Sequence, residues 1–108
     1  MKEQYYGKKD IEKVAKLYAL KPDLLKAFLD IDAKVFVDGS LDKKTKELIA
    51  VACAHITQCP YCIEGHVKGA KKTGASDEEI AEAIFVAIAL KAGSSLAHSC
   101  IAMEALEE

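Results

Sequence analysis

Apolar positions along this 108-residue chain recur at helical spacing and nowhere alternate in the two-residue rhythm of a half-buried strand, so the pattern predicts an all-α fold. Pro22, Gly39, Gly74 and Gly93 fall between the periodic segments, where helices should end. A first short helix is expected from Asp10 to Tyr18. A second should run from Pro22, a favourable first-turn residue, to about Val37, with Leu24, Leu25, Phe28, Ile31 and Val35 forming a stripe that lies against a core. Asp42 suits the N-cap of a third helix reaching about Thr57. Beyond its lysines that helix reads Leu48-Ile49-Ala50-Val51-Ala52-Cys53-Ala54-His55-Ile56, apolar nearly all round, as in a helix at the middle of a protein. A fourth helix starts at Cys59, with Pro60 in its first helical position, and stops by Gly74, a residue suited to the left-handed conformation that ends helices. Ser76 and Glu79 form a capping box that launches a fifth helix into the apolar run Ala83 to Leu90. Ala92-Gly93-Ser94-Ser95 reads as a break, followed by a sixth helix carrying Leu96, Cys100, Ile101, Met103 and Leu106.

About six helices in one domain over residues 1–108 are therefore expected. A third and a fifth helix apolar round most of their circumference are more than so small a core needs, which predicts burial between subunits and a homo-oligomer. With 51% hydrophobic and 30% charged residues the composition is that of a folding globular chain. A net charge of −2 provides no basic footprint for nucleic acid and no polybasic patch for a membrane surface. The uninterrupted run Ala83 to Leu90 is far short of the roughly 20 residues that cross a bilayer, and is read as a core segment. Residues 1–10 contain no apolar signal region, so the cytoplasm is the expected location. Four cysteines in such a setting point to redox, catalytic or metal chemistry for a clustered pair rather than to a structural disulfide framework.

That pair is Cys59 and Cys62, in Cys59-Pro60-Tyr61-Cys62-Ile63-Glu64-Gly65-His66. At about 100° per residue, Cys59, Cys62, Ile63, His66 and Ala70 share one face of the fourth helix, and Glu64, Lys68, Lys71 and Lys72 the other. Cysteines three apart on a helix can cycle between dithiol and disulfide, and unpaired N–H groups in the first turn favour the thiolate. His66, one turn beyond Cys62, is placed to take its proton, which makes Cys62 the candidate nucleophile and Cys59 the resolving partner. Gly65 and Gly69, four apart, suggest a groove for a second helix or a substrate. Glu47 lies where the solvent face of the third helix gives way to buried surface. It suits a proton acceptor, but local pattern favours an ion pair with the preceding lysines. A metal site is disfavoured because Cys59, Cys62 and His66 supply three ligands from one helix where structural zinc takes four. A thioredoxin-like fold would need a strand before the motif. Cys53 and Cys100 are expected to be small buried hydrophobes. His55 is expected to be structural, and His98 to line a pocket or a subunit contact. Tyr61 should be an interface or pocket-edge aromatic, and Lys68, Lys71 and Lys72 a solvated face.

Three segments together, Asp42-Lys43-Lys44-Thr45-Lys46-Glu47-Leu48-Ile49, the Cys59-x-x-Cys62-x-x-x-His66 motif, and Gly74-Ala75-Ser76-Asp77-Glu78-Glu79-Ile80, resemble the carboxymuconolactone decarboxylase superfamily, in its alkylhydroperoxidase D-like branch. The resemblance spans residues 41 to about 100. It implies a helical fold with an antiparallel hairpin core, assembled as trimers or hexamers. It also implies a thiol-dependent peroxidase in which Glu47 is the distal proton acceptor, His66 relays the proton, Cys62 attacks a hydroperoxide and Cys59 closes the disulfide. Regeneration would come from an external dithiol of thioredoxin-like or lipoyl type, with no cofactor and no metal. Tyr61 stands where the best-known peroxidases of this branch have a histidine, so a protein or small-molecule disulfide is an alternative substrate. The decarboxylase branch generally lacks the cysteine pair, which disfavours lactone decarboxylation. A non-catalytic metal-binding or assembly protein is the alternative of a different class.

Overall fold

The structure, a computed structural model, describes residues 7–108. A 3-10 turn over Asp10–Lys13 leads into α1 (Val14–Leu20), followed by α2 (Pro22–Val35), α3 (Lys43–Thr57), α4 (Pro60–Lys72) and α5 (Asp77–Leu106). No strand occurs among the described residues, as the absence of alternating segments predicted. The chain packs as two units, one up to Lys46 and one from Glu47 to Glu108.

In the first unit the chain turns from α2 into α3 through side-chain contacts to the backbone. Lys46 Nζ donates to the carbonyls of Val35 at 2.8 Å and Val37 at 2.7 Å, satisfying carbonyls left over at the end of α2. Asp42 Oδ1 accepts from the Thr45 N–H at 2.7 Å, the N-cap expected of it. The Thr45 side chain, and then its backbone N–H, hold the Asp42 carboxyl below its ordinary value. This cap is therefore complete at neutral pH and weakens only as the pH falls through that lowered value. The stripe along α2 does not lie against a core as expected: Leu24, Phe28, Ile31 and Val35 are all exposed, and neither α1 nor α2 contains a buried residue. Helical period identifies an apolar face but carries no information about what covers it.

The second unit holds the core. Val51 of α3, Ala70 of α4, Ala75 of the connection and Ile80 of α5 are buried together, with Leu48, Val67, Ala83 and Ile84 packed around them. Val51 is 0% exposed, and full burial of such a side chain contributes about 1.5–3 kcal/mol. The alanines allow close approach of the helices. A paired motif ends α4: the Ala75 N–H donates to Ala70 O at 2.9 Å and the Gly74 N–H to Lys71 O at 3.1 Å, with Gly74 at φ +92°. The end of α3 repeats the wider of these bonds, from the Cys59 N–H to Ala54 O at 3.2 Å. Here the left-handed residue is Gln58, at φ 58°, a conformation that costs a residue with a Cβ about 1–2 kcal/mol.

Ser76 caps α5 as predicted. Its Oγ accepts from the Glu79 N–H, and the Glu79 carboxylate accepts from the Ser76 N–H, at 3.1 and 3.0 Å. Ser76→Ala should lower the unfolding free energy by about 1 kcal/mol in denaturant titration, and an unchanged midpoint would show that the box is not needed.

The predicted break over Ala92–Ser95 and the separate sixth helix are not observed, because α5 is a single helix of 30 residues. Ser94 Oγ and Ser95 Oγ donate to Lys91 O at 3.0 Å, so the polar side chains are accommodated within the turn. With helix established on both sides, propagation through one glycine is less costly than two new termini. Among the described residues one helix, Asp77–Leu106, is thus long and apolar enough to cross a membrane by length and composition. The run Ala83 to Leu90 understates it, since the helix continues past Lys91 with few charges. The same length and composition suit a helix that buries its faces against other protein. Phe85, Leu90, Leu96, Ile101 and Leu106 are exposed in the single chain. Cys53 and Cys100 are also exposed, contrary to the expectation that both are buried. Cys53 points away from the Val51 and Ala54 side of α3, and Cys100 lies on the part of α5 that contains no buried residue.

Candidate active site

The turn at Gln58 delivers the chain directly into α4, with Cys59 as its N-cap and Pro60 at its first helical position. Cys59 and Cys62 stand as a disulfide pair across this first turn, their Cα atoms 5.3 Å apart, within the span that a disulfide bridges. Cys59 Sγ also accepts the Cys62 N–H at 3.3 Å, so a sulfur occupies the position usually taken by a serine or aspartate oxygen. Cys62 is exposed, whereas Cys59 and His66 are half-buried and Ala70 is fully buried. The motif face therefore runs inward from solvent along α4. The opposite face is solvated as expected: Lys68 Nζ lies 2.8 Å from Glu64, and Lys71 Nζ 2.6 Å from Asp77. The Lys71 ammonium holds the Asp77 carboxyl below its ordinary value.

Glu47 comes to this face from α3. It is 7% exposed, the one buried charged residue among those described, and its Oε2 lies 2.8 Å from His66 Nδ1. Burial of a carboxylate is tolerated when its oxygens are hydrogen-bonded, and no buried side-chain nitrogen or oxygen among the described residues lacks a partner. With the carboxylate ionised, His66 Nδ1–H donates to it. This fixes the ring orientation and leaves Nε2 as the basic nitrogen. The pairing brings together two of the four predicted site residues across 19 positions of sequence, in place of the surface ion pair that local pattern favoured.

The two glycines of α4 differ. A Cβ at Gly65 would meet nothing within 4 Å, whereas one at Gly69 would lie 2.7 Å from Glu47 Oε2. His55, by contrast, is occupied within its own helix, Nδ1 donating to Val51 O at 2.7 Å, which fits its expected structural role. His98 is exposed and Tyr61 half-buried. Among the described residues no three His, Cys, Asp or Glu side chains form a group that could hold a metal ion.

This constellation sits in a chain that belongs to the carboxymuconolactone decarboxylase family, whose sequence profile matches residues 22–105. The family includes decarboxylases and alkylhydroperoxidases. The chain is 58% identical over 82 residues to uncharacterized protein 4 in the cox locus of Paracoccus denitrificans, covering 76% of this chain and 74% of that one. A solved carboxymuconolactone decarboxylase family protein from Legionella pneumophila superposes with a TM-score of 0.70 at 42% identity, over 93% of this chain and 90% of that chain. A second solved family member, from Thermotoga maritima and described as a candidate for an antioxidative response, superposes with a TM-score of 0.60 at 37% identity, over 78% and 87% of the two chains.

Proposed function

We propose that the protein is an alkylhydroperoxidase-like enzyme in which Cys62 reduces a hydroperoxide and Cys59 resolves the product. The observation that carries this reading is the Glu47–His66 hydrogen bond at 2.8 Å, on the same helix face as a cysteine pair. A purely structural disulfide has no use for a buried carboxylate that orients a histidine one turn away. In the oxidative half-reaction the Cys62 thiol gives its proton to His66, held by Glu47, and the thiolate attacks the terminal, hydrogen-bearing peroxide oxygen. The O–O bond breaks, Cys62 becomes a sulfenic acid, and the alkoxide leaves as an alcohol with the proton returned by His66. Cys59 then attacks the sulfenic sulfur, expelling water and forming the disulfide. An external dithiol restores the pair by attacking the exposed Cys62 sulfur. Cys59 leaves as a thiolate that the Cys62 N–H stabilises.

The dithiol requirement fits a reducing, cytoplasmic setting. The uncovered apolar surface of α2 and α5 fits a homo-oligomer, trimer or hexamer, whose subunits cover one another. Exposure of Cys62 also suits a disulfide substrate, and the two reactions separate in one assay. Protein reduced and freed of dithiol is mixed with one equivalent of an alkyl hydroperoxide in the presence of a sulfenic-acid trap. The proposal requires rapid loss of the two motif thiols in the native chain and a trapped adduct at Cys62 in Cys59→Ser. Reduction of a small-molecule disulfide offered in place of the hydroperoxide, with no adduct formed on peroxide, would assign the site to disulfide exchange instead.

A further inference from the structure

We propose that Gly69 is a positioning residue for the reaction above, its missing side chain being what allows the Glu47 carboxylate to reach His66. This rests on the proposed peroxidase reading only where turnover is concerned; the geometry stands apart from it. A Cβ at Gly69 would lie 2.7 Å from Glu47 Oε2, 2.8 Å from Cδ and 3.0 Å from Oε1, so it would meet the whole carboxylate rather than one edge. Real Cβ atoms do not approach so closely, and something must shift. The backbone of α4 at this point is flanked by the fully buried Ala70, while the carboxylate is the far end of a flexible side chain. The carboxylate is what moves, and Oε2 is the atom bound to His66 Nδ1. The added methyl group therefore acts on His66 indirectly, by displacing the group that orients it. An alanine is also a better helix former than glycine, which offsets part of the cost of the displaced hydrogen bond.

Gly65 is the internal control. It lies on the same helix, one residue before His66, with open space where its Cβ would be. The experiment compares the native protein, Gly65→Ala and Gly69→Ala by thermal melting and by imidazole nitrogen NMR of His66, then measures peroxide turnover of Gly69→Ala alone and in a Glu47→Ala background. The expected results are a melting temperature at or above the native value and a native Nδ1–H tautomer for His66 in Gly65→Ala, and a folded Gly69→Ala that melts no higher than the native protein, its gain in helix propensity being offset by the displaced hydrogen bond. In Gly69→Ala that tautomer signature is lost and turnover falls about a hundredfold. Once Glu47 is alanine, Gly69→Ala should cost nothing further, because the two act as one unit. A native His66 spectrum in Gly69→Ala overturns the proposal, as does a full additional loss in the Glu47→Ala background. If Gly69→Ala fails to fold, the double variant decides: recovery of the fold on removing the carboxylate supports the collision, and failure of both overturns it. If the native protein turns over no peroxide, the functional reading fails while the NMR comparison still tests the placement.

Discussion

Cys62→Ser is expected to reduce peroxide turnover to the uncatalysed background, a loss on the order of 10³–10⁶-fold of the kind seen when a nucleophile is removed from a cooperative site. The serine hydroxyl does not ionise near neutral pH, and its oxygen forms neither a sulfenic acid nor a disulfide. His66 and Glu47 are left with no thiol proton to move. Compared with the reduced native chain the fold should be nearly unaffected, since Cys62 is exposed and the dithiol form contains no cross-link to lose. Cys59→Ser should behave differently, permitting one oxidation and then stalling for want of a resolving thiol. The two remaining cysteines matter to the measurement. Cys53 and Cys100 lie outside the motif pair, so the count of thiols titrated after denaturation should fall from four to two on peroxide treatment of the native chain. Native-like turnover in Cys62→Ser would remove this cysteine from the reaction altogether.

Removing the Glu47 carboxylate should have the second largest effect and should act almost wholly on activity. Glu47→Ala leaves His66 without the acceptor that orients it, and general acid–base assistance of this kind contributes about 10²–10⁴-fold. Stability should change by no more than about 1–2 kcal/mol. The buried carboxylate carries its own desolvation penalty, which the substitution relieves as the hydrogen bond is lost. Water can reach the His66 ring, whose side chain is 30% exposed, so the vacated Nδ1–H need not go unpaired. Glu47→Gln keeps the shape and an acceptor oxygen but not the charge, and should lie between alanine and the native residue. Steady-state turnover and denaturant melting on the same samples separate the two effects. A large drop in stability with native activity would make Glu47 structural.

Much of the site was legible in the chain because it is local. Pro60 and Gly74 marked the ends of α4, Asp42 and Ser76 marked caps, and helical phase alone placed Cys59, Cys62 and His66 on one face. What local pattern missed depends on contacts between helices. Glu47 is buried because α4 presents no side chain at Gly69, a fit between residues 22 positions apart that periodicity does not encode. Its pairing with His66 was implied only by family resemblance. Gln58 provided no turn signal at all, although its left-handed backbone sets where the motif begins; glycine or asparagine would have announced it. The unbroken helix through Gly93-Ser94-Ser95 has the opposite origin. Taken singly these weak helix formers signal a break, whereas a helix already in place on both sides carries them through. The exposed stripe of α2 reflects a further limit, since apolarity is written in the sequence and the covering partner is not.

The sulfur that accepts the Cys62 N–H ties chemistry to helix initiation. An oxygen cap has one character throughout the life of a protein, but Cys59 would change its own with every cycle: a strong acceptor as a thiolate, a weaker one as a thiol or disulfide. On the proposed cycle, the first turn of α4 is thus loosened and tightened by the same electrons that pass through the cysteine pair. A reducing partner would find a slightly different surface before and after its work, and the helix start becomes a record of the last reaction performed.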